Sequence, residues 1–342
     1  MRELPQKYYL SHFNEFIAYV QNHCEHLLLK EHQHFIDNYL NLGENTQCML
    51  VRSINRRGNF VAIDKMSYHE IDDGPEQLKL LCEGGFLRPL QLDDWQQWLT
   101  VLSKIQLLNI LSKQTLCTYP RSANKAALLA LVQEYCQLEV IFPSELSQSF
   151  LVKNYAHALS YFLFLFFGNL NSALDKFSMR DLGVLKTRDE VEEQSARFDT
   201  REMALSTYYY AQRKQLIADL PDENLESEYE LAISASSPIG IRAHDYCDQY
   251  LLKLGKRLLP IDNKGALTIL ARSCHPLAQE KWLRETYKNG GKQVVKGKLE
   301  AIIDSDVDAA LLLFADDFYE RKYKQRKLSK RTSLLRDHSH TL

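Results

Sequence analysis

Val51-Arg52-Ser53-Ile54-Asn55-Arg56-Arg57-Gly58-Asn59-Phe60 is the stretch on which the reading of this chain turns. Val51 and Ile54 continue a helical apolar spacing, and Arg57-Gly58-Asn59 breaks it. Phe60-Val61-Ala62-Ile63 then favours a strand. A helix end, a turn holding Arg52, Arg56 and Arg57, and a strand predict a winged-helix module with a small β-wing near residues 58–68. Guanidinium groups hold phosphate oxygens through paired, charge-assisted hydrogen bonds and displace counterions. The three arginines are therefore candidate nucleic-acid contacts. The competing expectation is a solvated loop, the commoner fate of a charge run.

Outward from this stretch the signals are mostly helical. Residues 8–20 carry Tyr9, Phe13, Phe16, Ile17 and Val20 on one helix face, and residues 26–42 do the same through Phe35, Ile36 and Tyr39. Gly43 reads as a helix stop. Asp73-Gly74-Pro75 opens another helix, with Pro75 at its start, and Gly84-Gly85 closes it. Residues 1–90 thus form the expected winged-helix module. In residues 91–140, Asp93 or Asp94 caps a helix that buries Trp95, Trp98 and Leu99, and Ser122 or Asn124 caps a second, beginning at Lys125. This helix-loop-helix resembles a SAP-type module, with Arg121 and Lys125 as further expected DNA contacts. Residues 141–240 are a helical connector that holds the apolar run 156–167. Residues 241–325 read as TPR-like helical pairs, each burying a face on its neighbour, and 326–342 as a basic tail. The expected fold class is mainly α.

Composition bounds the function. The 342 residues are 45% hydrophobic and 25% charged, with a formal net charge of -2. A near-neutral total excludes a protein that is basic all over, while leaving room for a local basic face. Seven cysteines without regular spacing favour a reduced, cytoplasmic setting, nucleoid-associated if bacterial. The run 156–167 is too short to span a bilayer, so no membrane partner is expected. The sequence holds neither G-x-x-x-x-G-K-[ST] nor G-x-G-x-x-G. His23, Cys24, His26, His32 and His34 invite a zinc reading, but four ligands must converge on one point, and a polar helix face is the expected alternative. Tyr208, Tyr209 and Tyr210 suit base stacking or half-buried helix positions.

The order of these features resembles the Fanconi-associated nuclease family, a set of VRR-type structure-specific nucleases. The resemblance is carried by Tyr8-Tyr9-Leu10 with Phe13, by Phe35, and by Met49-Leu50-Val51-Arg52 with Arg56-Arg57. It continues through Tyr68-x-Glu70-Ile71 and Leu78-x-x-Leu81-x-x-x-Gly85-Phe86-Leu87. Leu174-x-x-Phe177, Arg188 and Phe314-Ala315-Asp316-Asp317-Phe318-Tyr319-x-Arg321-Lys322 are also similar to bacterial members. The resemblance implies DNA repair, interstrand-crosslink repair included, and branched or flap DNA as partner. It places the family's basic DNA contacts at Arg52, Arg56 and Arg57. It also implies a nuclease domain that uses Mg²⁺ or Mn²⁺, and this chain is expected to stop where that domain begins.

The family's metal site needs a Glu-x-Lys beside further carboxylates. The pattern occurs at Glu320-Arg321-Lys322, on an apolar-periodic helix downstream of Asp304, Asp306 and Asp308. A mixed-charge surface helix is the expectation there, so no cofactor and no catalytic residue are assigned to this chain. The reading is DNA recognition and scaffolding within a repair nuclease. The alternative is a helical-repeat adaptor that docks a nuclease or another protein through residues 243–323.

Overall fold

The computed structural model describes residues 6–113, 122–136, 141–142, 144–171, 174 and 195–304, the side chains as far as 298. The chain divides into two units, Met1–Phe198 and Asp199–Leu342. The expected boundaries at 90 and 140 both fall inside the first unit, and the one at 240 inside the second. As expected, the fold is mainly helical with a small sheet. No helix among the described residues is long and apolar enough to cross a membrane.

The first unit opens with α1 (Tyr8–Cys24), α2 (Lys30–Leu40) and α3 (Glu44–Ile54). Then come β1 (Phe60–Ala62), α4 (Gly74–Glu83) and β2 (Leu87–Pro89). Asp73 caps α4, its carboxylate accepting from Glu76 N at 3.3 Å, and Pro75 sits in the first turn. The strand near Phe60 forms as expected, but residues 58–68 make no hairpin of their own. After Ala62 the chain turns into a 3₁₀ segment, Ile63–Lys65. The partner of both short strands lies far along the chain at β3 (Phe150–Lys153). β3 is the centre of an antiparallel sheet of order β1-β3-β2, with Phe60 opposite Val152 and Leu87 opposite Lys153.

The long connection from β2 to β3 carries α5 (Trp95–Val101), α6 (Lys104–Ser112), α7 (Lys125–Tyr135) and α8 (Glu145–Gln148). Asn124 caps α7 as expected, accepting from Ala127 N at 2.8 Å. Asp94 does something else: it takes the Arg88 guanidinium in two bonds of 2.6 and 2.8 Å and holds the turn into α5. Trp98, Leu107, Leu111, Leu128 and Val132 pack on one sheet face against Phe60, Phe150 and Val152. The opposite face holds Val61, Leu151 and Lys153, also buried. A strand with both faces covered reads as a continuous apolar run rather than an alternation, which is why residues 150–153 carry no clean strand signal.

α9 (Ala156–Phe167) is the buried helix that the apolar run predicts. Phe166 meets Phe16 and Tyr19 of α1 edge-on at 5.6 and 4.9 Å, and Phe162 meets Phe35 of α2 at 5.6 Å. Such offset and edge-to-face contacts are the favoured arrangements of rings. His32 stacks on Tyr161 at 4.7 Å, and its Nδ1 accepts from Leu29 N at the start of α2.

The second unit contains α10 (Arg201–Leu216), α11 (Leu225–Ser234), α12 (Ile241–Leu258), α13 (Asn263–Arg272), α14 (Pro276–Lys288) and α15 (Lys292–Asp304). Neighbours in the order α12, α13, α14, α15 pack on one another, as helical pairs do. Tyr210, Leu254, Leu258 and Ile269 share one core. Glu228 is buried there and held by Arg213 Nε at 3.0 Å and the Tyr250 hydroxyl at 2.7 Å. The sequence reading of residues 307–323 and of the basic tail lies outside the described residues.

Gly255 lies where α12 packs tightly against α13. A Cβ at this position would lie 2.6 Å from Leu270 Cγ, and Leu270 is fully buried. Helix propensity alone would favour alanine by about 1 kcal/mol. The clash dominates, so Gly255→Ala is expected to lower stability by about 1–3 kcal/mol in denaturant unfolding. A variant as stable as the parent would mean that Leu270 has room to retreat.

Candidate nucleic-acid interface

The basic loop begins where α3 runs out. Gly58, at φ +75°, sits in left-handed backbone that favours glycine and reverses the chain from α3 into β1. Arg56 and Arg57 ride on this reversal and are both exposed. The last carbonyls of a helix need partners from outside it. Here the partner is Lys153 of β3. Its Nζ donates to Arg56 O at 2.6 Å and lies 3.5 Å from Ile54 O, and its backbone N donates to Asn59 O at 2.8 Å. The central strand thus clamps the loop at both ends. Lys153 is only 9% exposed, and burial pushes its ammonium down to about 8.

The three arginines differ in their surroundings, and Arg52 is the one drawn into the fold. Its guanidinium turns inward to Glu70, whose side chain is 2% exposed, with Nε on Oε1 at 2.9 Å and Nη2 on the same oxygen. It also lies over the rings of Tyr9 at 4.0 Å and Tyr68 at 4.8 Å. Burial works to raise the Glu70 carboxyl, but hydrogen bonds from Arg52, its own backbone and Tyr9 outweigh it and leave the pKa lowered. Arg52 is therefore neutralised within the fold. Arg56 donates to Lys65 O at 2.8 Å and to the Tyr68 hydroxyl at 2.9 Å. It has no carboxylate partner among the described residues, and Arg57 has no partner of any kind among them.

The other expected contacts fall elsewhere. Lys125 is exposed in the first turn of α7, and its ammonium donates to Thr100 O at 2.7 Å, tying α7 to the end of α5. Arg121 lies outside the described residues, as do Glu320-Arg321-Lys322, Asp306 and Asp308. Among the described residues no three His, Cys, Asp or Glu side chains converge on a metal position. His34 instead contacts Asn38 at 3.0 Å, and Cys24 is buried. Tyr210 is a core residue, while Tyr209 is exposed. Lys153 and Glu70, the two residues that shape the loop, were not singled out from sequence as site residues. The first lies almost a hundred positions from the loop it holds, and the second stood only as a point of family resemblance.

This division of labour is measurable. Arg52→Ala strands a buried carboxylate and is expected to cost about 3 kcal/mol or more in denaturant unfolding, whereas Arg57→Ala shifts it by less than about 0.5 kcal/mol. For Lys153, the folded and unfolded chains both carry the proton below pH 8. Between about 8 and the ordinary lysine value of 10.5 the folded chain loses it first. The parent is therefore expected to gain stability relative to Lys153→Met as pH rises from about 7.5 to about 9.5. An unchanged difference between the two proteins would contradict the buried placement.

Comparison with known proteins agrees with this architecture. Residues 7–88 match the family model described as the FAN1 HTH domain. A Fanconi-associated nuclease 1 homolog of Arabidopsis thaliana is 25% identical over 241 residues, covering 64% of this chain and 26% of the relative. A homolog of the same name from Pseudomonas aeruginosa is 25% identical over 193 residues, covering 54% of this chain and 33% of the relative. A crystal structure of paFAN1 bound to 2nt 5′-flap DNA with a gap superposes with a TM-score of 0.77 at 20% identity, covering 94% of this chain and 59% of the other. A second paFAN1 complex, with a 1nt 5′ flap, gives 0.73 over 93% of this chain. The chain thus spans a third or less of the curated relatives it matches, and the structural likeness speaks to the fold. The helix-turn-helix match covers the helices and strands around the arginine loop, and it is over residues 7–88 that this chain is similar to the Fanconi-associated nuclease family.

Proposed function

We propose that this chain binds branched or flap DNA as the recognition and scaffold part of a structure-specific repair nuclease, with Arg56 and Arg57 as its phosphate contacts. The observation that carries the reading is the pair of exposed guanidiniums without carboxylate partners among the described residues, on a loop clamped from behind by Lys153. A preorganised cation loses little on meeting a phosphate, because its backbone is already ordered. The flap DNA held by the solved relatives supports the same partner. Arg52 then serves as the scaffold beneath the loop, held by Glu70. Recognition is by shape and phosphate placement, with base edges secondary. Arg121 and Lys125 are the further DNA contacts of this reading. Divalent-metal chemistry belongs, on the resemblance, to the family's nuclease domain, and none of the described residues is offered as its ligand.

A second reading is that the helical pairs dock a nuclease domain or protein partner. Ile241 and Leu277, 82% and 50% exposed on α12 and α14, favour it. Co-purification with a nuclease polypeptide that is abolished by Ile241→Ser would support it.

Gel shifts on flap, nicked and plain duplex test the main reading. Arg56→Ala with Arg57→Ala is expected to weaken binding to all three by roughly tenfold or more. It should also flatten the dependence of log K on log salt, by about one unit of slope for each phosphate that the loop no longer neutralises. Unchanged affinity at two salt concentrations rules the loop out.

A further inference from the structure

The arginine loop also borders a cleft whose chemistry differs from that of a phosphate-tracking surface. The cleft holds about 530 Å³ and is lined from the start of α1, the end of α3 and α9. That is within the range of small-ligand sites, about 300–1,000 Å³, and far too small for a duplex. Tyr8 forms one wall, its ring edge-on to His12 at 5.5 Å and to Tyr9 at 5.9 Å. Leu159 and Leu163 of α9 also line the cleft, and Leu163 is only half-buried. Arg56 and Arg57 line it as well. None of the described residues lining the cleft is an aspartate or a glutamate. Such a lining repels cations and suits a ligand that is anionic at one end and flat and apolar at the other.

We infer that this cleft takes one unpaired nucleotide, its base against Tyr8, Leu159 and Leu163 and its phosphate on Arg56 and Arg57. The inference rests on the DNA-binding reading above and adds to it a reason to prefer a flap over plain duplex. Aromatic faces accept any base, so the preference is for an unstacked nucleotide rather than for a sequence. A paired base is held in its stack and cannot enter without unpairing. The arginines serve both arms of the function: they hold the phosphate chain, and they place the first unpaired base over the cleft.

The test compares three ligands of equal length on the full chain: a plain duplex, a duplex with a one-nucleotide 5′ flap, and the same flap with an abasic residue at the unpaired position. The parent is expected to bind the flap more tightly than the abasic flap by at least about fivefold, the scale of one base stacked on an aromatic ring. In Tyr8→Leu and in Leu163→Trp, which fills the cleft, that ratio should fall toward one. Circular dichroism confirms that each variant is folded, and the abasic comparison needs no variant at all. An abasic flap bound as tightly as the intact flap, with duplex binding retained, overturns the inference and leaves the DNA-binding reading standing. No binding to any of the three ligands overturns both.

Discussion

A lysine carried into the interior at the end of the central strand orders the first unit. Lys153 has lost nearly all of its water, and among the described residues no carboxylate compensates it. What remains are the carbonyls at the end of α3 and in the loop beyond it. Burying a charge is costly unless hydrogen bonds replace its hydration. That requirement links three things: the register of β3 against β1 and β2, the end of α3, and the position of the loop carrying Arg56 and Arg57. Both faces of the sheet must be covered to keep the lysine dry. The helices inserted between β2 and β3 cover one face, and the opposite face is buried as well.

Charge in this region is divided by environment rather than by residue type. Arg52, Arg56 and Arg57 are chemically the same group. Arg52 meets a buried carboxylate and two aromatic rings and becomes part of the scaffold. Arg56 is steadied by a carbonyl and a hydroxyl, neither of which cancels its charge, and Arg57 stands free among the described residues. A basic loop over a neutralised, rigid base offers cations to a phosphate chain with little reorganisation. The same base, through Tyr9 and Arg52, floors the cleft in which we place an unpaired nucleotide.

Much of the fold was legible in the residues. The apolar spacing of residues 8–20, the cap at Asn124, the turn at Asp73-Gly74-Pro75 and the wholly apolar run 156–167 each act within a few residues of themselves. Each appears where its local chemistry puts it. The strand at residues 150–153 was not legible, because a strand covered on both faces loses its alternation. Asp93 or Asp94 was read as the cap of the helix at Trp95, a role that needs only its own turn; the Asp94 carboxylate instead accepts from Arg88 and from Gln91 N, one turn earlier.

By itself, then, the amino-acid order determined that the chain is mainly helical, where most helices start and stop, and that a cationic turn follows α3. These depend on propensity, periodicity and capping, which are properties of neighbours along the chain. Only the tertiary structure decided that β3 closes the sheet, that Lys153 holds the loop, and that Glu70 withdraws Arg52 from the surface. Those outcomes depend on which groups lose their water together, and residues 18 to 99 positions apart meet for that purpose only once the core has formed.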